Sequence, residues 1–262
     1  MGQMGPRGLN KFLRCENPNG IKLLNLRELS GKKIVIDVSI YLYRFSVNDE
    51  LFENFYNMLI NFKKYNIIPM FVFDGKPPIE KQETIEQRRF ERREAEKKYN
   101  EIMESNDITN YSKYNIESLK RKKVIISIKN KTDLKQLFDY YGVMYIDAPG
   151  EADELCAYYV KTNQAWACLS DDMDLFMYGC TRILRYLSLI NMTVIYYDLN
   201  DILLSFNISF KNFINICILS GTDYNPQINK IDYLFNNHRQ LISNNNYEKI
   251  EEVFEQKIIN HL

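Results

Sequence analysis

The chain has 262 residues, of which 45% are hydrophobic and 13% are aromatic. This composition excludes a disordered chain, and the length suits one large domain or two small ones. No apolar run reaches the roughly 20 residues of a membrane-spanning helix, and the amino terminus lacks the apolar core of a signal peptide. We therefore expect an intracellular protein with no membrane partner.

The charged residues balance, with 34 Lys and Arg against 34 Asp and Glu, but they are unevenly distributed. Residues 76–135 carry a net charge of +5, whereas residues 136–262 carry −8. A generic basic nucleic-acid binder does not have this pattern. The pattern is typical of a protein that combines a basic surface with acids neutralised by metal ions.

Histidine and cysteine chemistry is nearly excluded. Only two histidines occur, His238 and His261, which leaves little room for a His-based zinc site or a Ser-His-Asp triad. The five cysteines are odd in number and have no C-x-x-C spacing, so we expect reduced thiols. Any strong chemistry must therefore rest on carboxylates.

Short apolar runs along the chain predict β-strands that alternate with helices. The predicted strands cover residues 33–37, 67–74, 143–147, 165–170, 182–187 and 192–198. Apolar residues at helical spacing predict helices over 50–65, 134–141 and 151–161. This alternation predicts an α/β fold with a mostly parallel central sheet flanked by helices.

Residues 76–132 interrupt that rhythm with a highly charged helical insertion. Its first helix, over 82–103, is expected to be solvated and to carry i,i+4 ion pairs such as Glu94 with Lys98. The densest basic run of the chain, Lys120 to Lys123, ends the insertion. We expect one domain over 1–262, divided into 1–75, the insertion 76–132, a second part 133–225 and a short helical region 226–262.

Acidic residues follow five apolar runs, each of which we interpret as a strand that leads into a helix. These acids are Asp37, Asp74, Glu151 with Asp153, Asp172 with Asp174, and Asp223. A single acid at such a place could simply cap a helix. Five such places on one sheet edge would be costly unless cations neutralise the carboxylates. Mg²⁺ or Mn²⁺ prefers such oxygen ligands.

Several long motifs occur together in a familiar order. They are MGPRGL at 4–9, FVFDGKPP at 71–78, DAPGEADELCA at 147–157, SDDMDLFMYG at 170–179 and ILSGTDY at 218–224. Over residues 4–225 the chain resembles the flap endonuclease branch of the XPG/Rad2-like, structure-specific 5′-nucleases. The resemblance implies a PIN-like nuclease core with a helical arch formed by the insertion.

The resemblance also implies roles for individual residues. The seven acids would hold two Mg²⁺ ions, for which Mn²⁺ can substitute. Lys81 and Arg88 would be the catalytic basic pair at the base of the arch, and both would touch DNA. Tyr43 would stack on a base, although core packing beside Tyr41 is an alternative. Arg185 would contact duplex DNA, and Gly5 would lie near it.

The chain departs from the family after its last acid. A glycine-rich hairpin of the form G-I-G-x-x-x-A grips downstream duplex and a K⁺ ion in the family, but here the segment reads NPQINKIDYLFNNHRQL. Because both glycines are missing, we expect this grip and the K⁺ site to be weakened. The sequence shows no sliding-clamp motif, and we expect a monomer.

These features lead to one preferred function and several alternatives. We expect a metal-dependent nuclease that cuts 5′-flapped or branched DNA and has 5′-exonuclease activity, in replication, repair or recombination. The alternatives are a Holliday-junction-resolving or purely exonucleolytic relative, or a protein that binds branched DNA without cutting it. A phosphatase-like or topoisomerase-like site is a more distant alternative. The site of action would be the nucleus or a viral replication site in the cytoplasm.

Overall fold

A computed structural model describes residues 5–77, 81–104, 113–221 and 229–242. Its strands are β1 (Ile21–Asn25), β2 (Lys33–Asp37), β3 (Ile68–Phe73), β4 (Met144–Asp147), β5 (Ala167–Leu169), β6 (Arg182–Ser188) and β7 (Thr193–Asp198). Its α-helices are α1 (Leu9–Glu16), α2 (Val38–Phe45), α3 (Leu51–Lys64), α4 (Gln82–Glu104), α5 (Lys113–Lys123), α6 (Ile128–Tyr141), α7 (Ala152–Lys161), α8 (Asp174–Met177), α9 (Leu199–Phe206), α10 (Phe210–Ser220) and α11 (Ile231–Ile242).

The seven strands form one sheet in the order β1-β7-β6-β5-β2-β3-β4. Strands β2 to β6 run parallel, whereas β1 and β7 pair antiparallel at one edge. The chain builds outward from β2 through β3 to β4, and then returns to place β5 on the other side of β2. The carboxyl ends of β2 and β5 therefore frame a topological switch point, where open α/β sheets bind their ligands.

The predicted α/β class is confirmed, and the six strands predicted over 33–37, 67–74, 143–147, 165–170, 182–187 and 192–198 agree with β2 to β7 to within one or two residues. The strands read as continuous apolar runs because both faces of the sheet are covered. Val35, Met70 and Val72 pack towards α1, α7, α8, α10 and α11, while Ile34 and Phe71 pack towards α2, α3 and α6.

One predicted strand is wrong. The apolar run 213–219 lies in α10, whose residues from Phe213 to Ser220 are all buried. A run buried on every side has no periodicity that separates a strand from a helix. Helices α1, α2, α8 and α9 and strand β1 were not predicted, since they are short.

The insertion forms the helix pair α4 and α5. The ammonium of Lys123 lies 3.7 Å from the centre of the Tyr99 ring, and Ala95 and Ile102 are buried between the helices. Glu94 pairs with Lys97 at 3.3 Å rather than with the predicted Lys98. The prediction of a charged, mostly exposed helix is therefore confirmed for α4. The structure adds that α5 covers one face of this helix.

The insertion leaves the sheet at Gly75. The amide of Gly75 donates to the Gly150 carbonyl at 2.8 Å, and a Cβ atom at position 75 would lie 2.0 Å from the Ala148 carbonyl oxygen. Only glycine fits this approach. The close contact ties the start of the insertion to the loop that precedes α7.

The carboxy-terminal region is only partly described. Helix α11 packs on α1 and α10, with the rings of Phe12 and Phe235 stacked 4.4 Å apart. Residues 222–228, which hold the first part of the altered hairpin, lie outside the described residues. Among the described helices, no single one is long and apolar enough to cross a membrane. Taken together, α9 and α10 reach the required length and composition, but they are bent by 88° where they meet.

An aromatic cluster under β3 should dominate the stability of the α3–α6 face. Phe138 is fully buried and stacks on Phe71 at 4.1 Å. We expect Phe138→Ala to lower the free energy of unfolding by about 3–5 kcal/mol, and Phe138→Leu by clearly less. Phe90→Ala removes an exposed ring from α4 and should have little effect. Urea unfolding followed by circular dichroism would measure these changes, and equal losses at both positions would contradict this description of the core.

Candidate functional site

Six of the seven predicted acids meet at the switch point. Asp37 is the last residue of β2, and Asp74 follows β3 directly. Asp172 and Asp174 follow β5, and Glu151 and Asp153 lie at the amino-terminal end of α7. The seventh, Asp223, lies outside the described residues. The sheet topology therefore brings together carboxylates that are far apart in the sequence.

Two of these acids are held by serine and backbone donors. Asp37 accepts hydrogen bonds from the Ser39 amide at 3.0 Å and the Ser170 hydroxyl at 3.1 Å. Asp74 accepts from the Ser39 hydroxyl and from the Ala152 amide at 2.8 Å. Each carboxylate thus has a fixed direction before any ligand binds. Sequence reasoning did not identify the two serines, although both directly adjoin the acidic motifs.

The loop after β5 folds back on itself and buries its acids. The Asp172 amide donates to the Ser170 hydroxyl at 3.1 Å, and the Asp174 amide donates to Asp172 Oδ1 at 2.8 Å. The residues Asp172 and Asp174 are 4% and 3% exposed. Gly5 packs on this loop with φ +91°, and a Cβ atom there would lie 2.8 Å from the Asp174 amide nitrogen. The glycine at position 5 is therefore required by packing against the acidic loop.

The carboxylates interact unfavourably with one another. Burial raises the pKa of Asp37 well above its usual value, and the charges of Asp74 and Asp172 raise that pKa further. Burial likewise raises the pKa of Asp153, with added contributions from Asp172 and Glu151, which Lys81 partly offsets. The site therefore concentrates negative charge that the protein itself only partly neutralises.

The predicted basic pair lies at the start of the insertion. Lys81 Nζ donates to Glu151 Oε1 at 2.8 Å, and both side chains are mostly buried. Arg88 is exposed on α4, two helical turns further along. Lys81 is thus an integral part of the acidic site, whereas Arg88 lies on the insertion above it.

The other predicted DNA contacts differ in exposure. Tyr43 is 41% exposed on α2, while its neighbour Tyr41 is fully buried, so packing in the core is not its role. Arg185 is 4% exposed and donates to Asn10 Oδ1 at 2.6 Å. Arg185 therefore links α1 to β6 from inside the protein, and a direct contact with duplex DNA remains a prediction.

The donor set fits hard divalent cations. The predicted ligands at the switch point are carboxylates, held by serine hydroxyl and backbone donors, and carboxylate oxygens are what Mg²⁺ and Mn²⁺ prefer. Within the described ranges no three His, Cys, Asp or Glu side chains form a ready-made metal cage. Mg²⁺ retains several waters and commonly uses only one or two carboxylates, so an open arrangement suits it.

The cysteines form no disulfide bonds. All five cysteines are free, and Cys156, Cys168, Cys180 and Cys217 are buried. Burial raises the pKa of the Cys156 thiol to about 11. The prediction of reduced thiols is confirmed.

Neutralising one buried acid should stabilise the protein when no metal is present. The pKa of Asp153 is raised in the folded state. Ionisation of this carboxyl therefore lowers the free energy of unfolding as the pH rises through that pKa. We expect Asp153→Asn to raise the Tm in EDTA at pH 7.5 by a few degrees, with a smaller gain at pH 5. Mg²⁺ should raise the Tm of the parent more than that of the variant. Asp232→Asn, at an exposed position on α11, is the control. A Tm that falls for Asp153→Asn in EDTA would contradict the charge-repulsion argument.

Two family models match the chain. The XPG N-terminal domain matches residues 4–95, and the XPG I-region matches residues 142–223. Together they cover well over half of the sequence and leave out most of the insertion. Their matched ranges hold all seven predicted acids, Lys81 and Arg88.

Curated proteins and solved structures agree with these matches. Flap endonuclease 1 of Drosophila yakuba is 31% identical over 261 residues, which are 91% of this chain and 66% of that protein. The chain thus spans less than two thirds of the length of this relative. Flap endonuclease-1 from Methanococcus jannaschii has a TM-score of 0.64 at 25% identity, covering 89% of this chain and 81% of that one. Human GEN1, solved in complex with Holliday junction DNA, has a TM-score of 0.64 at 18% identity, covering 97% and 62%.

Proposed function

The chain belongs to the XPG/Rad2-like family. We propose that it is a divalent-metal-dependent nuclease that cuts 5′-flapped or branched DNA. The observation that carries the proposal is the group of buried, mutually repelling carboxylates at the switch point, with one lysine among them. A purely structural role gives no reason to gather these charges. Flap endonuclease 1 relatives at about a third sequence identity support the choice of substrate.

The acids would hold two Mg²⁺ ions, with Mn²⁺ as a substitute. Asp172, Asp174 and Glu151 would lie nearest the ions, Asp37 and Asp74 would act partly through water, and Asp153 and Asp223 would complete the set. Bound there, Mg²⁺ would supply a water nucleophile of lowered pKa and neutralise charge on the phosphate. The seryl and backbone hydrogen bonds described above would keep the ligands aimed at the ions.

The basic groups would act on the phosphate. Lys81 would leave Glu151 to meet the scissile phosphodiester, and Arg88 would reach it from α4. Both would stabilise negative charge that grows in the transition state. Tyr43, exposed at the end of α2, would stack on the base next to the cut.

The insertion would admit and bind a single DNA strand. Lys120 to Lys123 form the last turn of α5, and the insertion is the most basic part of the chain. Such residues bind phosphates without reading bases, so specificity would come from the shape of the branch. We propose that the chain acts as a monomer inside the cell, at a nuclear or viral site of DNA replication or repair.

Related substrates are the main alternative. The GEN1 structure with a Holliday junction has the same fold to the same TM-score as flap endonuclease-1, so the core does not decide between them. Cleavage of a 5′-flap, an intact Holliday junction and a blunt duplex, at equal concentrations with Mg²⁺, would rank the three activities. A faster cut of the junction would replace the flap proposal with junction resolution.

Loss of one central acid tests the nuclease proposal directly. We expect Asp174→Ala to abolish cleavage of a labelled 5′-flap in Mg²⁺, since this side chain would serve the metal and not the DNA. Binding of the same flap in EDTA should stay largely intact. A parent protein that binds flaps but does not cut them in Mg²⁺ or Mn²⁺ would favour the non-cutting alternative. A variant that still cuts at a similar rate would show that Asp174 is not a metal ligand.

The basic pair should act on the rate more than on affinity. We expect Lys81→Met and Arg88→Met each to lower the single-turnover rate by roughly 100-fold, the scale of one lost electrostatic contact with the transition state. Lys97→Met is the control, because Lys97 lies on the same helix, is mostly exposed and pairs with Glu94. Weaker flap binding with an unchanged single-turnover rate would reduce both residues to ordinary phosphate contacts.

A further inference from the structure

The loop that carries Asp172 and Asp174 also holds an acid that faces away from them. Asp171 lies in the loop between β5 and α8, directly before Asp172, and its side chain is 18% exposed. Its carboxylate is bonded from two directions by two other elements. One oxygen pairs with the guanidinium of Arg44 on α2, and the other accepts the backbone amide of Tyr186 at 2.8 Å.

The backbone of Asp171 is held as well. Its carbonyl oxygen accepts a hydrogen bond from Arg185 Nη2 at 2.5 Å. Arg185 in turn bonds Asn10 on α1, and Asn10 donates to the Tyr186 hydroxyl at 2.6 Å. Two elements, α2 and β6, therefore contact Asp171 directly, and α1 supports the two β6 residues through Asn10.

The backbone at Tyr186 is unusual in a way that serves this contact. Tyr186 has φ +56°, and the β6–β7 register is irregular between Arg185 and Ser188. A tyrosine rarely adopts the left-handed region, and such bulges and strained residues concentrate near functional sites. Here the bulge directs the Tyr186 amide towards Asp171 and the Arg185 side chain into the interior.

The contacts of Asp171 oppose a force described above. Asp172 and Asp174 are almost fully buried in a loop that Ser170 joins to Asp37, so the like charges at this sheet edge repel the acidic loop. An attachment on the far side of the loop holds it in place against that repulsion. Arg44 supplies a positive charge there without occupying the space between the acids.

We propose that Arg44 and Asp171 are positioning residues, whose ion pair fixes the 170–174 loop against α2. The pair would keep Asp172 and Asp174 in place for Mg²⁺, and would hold Tyr43, the neighbour of Arg44, in register with them. This inference rests on the proposed nuclease function for the role of the ions. It predicts that a charge change outside the acidic group weakens metal binding.

The test compares Arg44→Met, Asp171→Asn and the double variant by the Mg²⁺ concentration that gives half of the maximal Tm rise. We expect each single variant to raise this concentration about tenfold, which is the usual loss when an outer partner of a metal ligand is removed. The double variant should need no more Mg²⁺ than the single variants. Arg44→Lys should recover much of the loss. Flap binding in EDTA and the Tm in EDTA should change little. Arg27→Met, which removes an exposed arginine elsewhere, is the control.

Three outcomes would overturn the proposal. Weaker flap binding by Arg44→Met with unchanged Mg²⁺ dependence would make Arg44 a phosphate contact. An Asp171→Asn variant with the parent's Mg²⁺ dependence would remove the role of the pair. A large fall of the Tm in EDTA in the same variants that need more Mg²⁺ would make the pair a general folding contact. A parent that responds to Mg²⁺ but cuts no DNA would defeat the proposed function alone, because the thermal measurement needs no cleavage.

Discussion

Repulsion among buried carboxylates is the constraint around which the rest of this structure is arranged. The switch between β2 and β5 brings acids from four separate segments to one edge of the sheet. Asp37, Asp153, Asp172 and Asp174 are buried, Asp74 and Glu151 are partly buried, and the charges of Asp74 and Asp172 oppose that of Asp37. A fold that gathers such groups must hold them from outside, since they do not hold one another.

The surrounding polar groups provide that support. Ser39 contacts both Asp37 and Asp74, and Ser170 contacts both Asp37 and the loop that follows it. Gly5 and Gly75 allow other backbone segments to approach this region more closely than any side chain would permit. The site is therefore organised by donors and close packing that are built before a cation or DNA arrives, as a site with little reorganisation cost requires.

The sequence predicted most of this arrangement because the strongest signals were local. Strands β2 and β3 each end in an acid, and parallel strands place those ends at one edge. The run in α10 was misjudged because a helix buried on all sides has the same composition as a buried strand. The Arg44–Asp171 pair could not be found, since its partners are 127 positions apart and a surface-like charge gives no sign of its partner. Arg185 was assigned to DNA by motif alone, which carries no information about burial.

Substrate choice must come from outside the shared core. Flap endonuclease-1 from Methanococcus jannaschii and human GEN1 match this chain with the same TM-score of 0.64, so the fold alone does not distinguish between the two proposed substrates. The insertion lies outside the sheet: α4 and α5 contact each other, Ala95 and Ile102 are buried, and the last turn of α5 is basic. A basic helical pair attached through Gly75 to the loop before α7 can select a strand end by steric fit, whereas the acids below it see only the phosphate. Under the proposed function, the acidic centre would carry out the chemistry and the insertion would select the shape of the DNA.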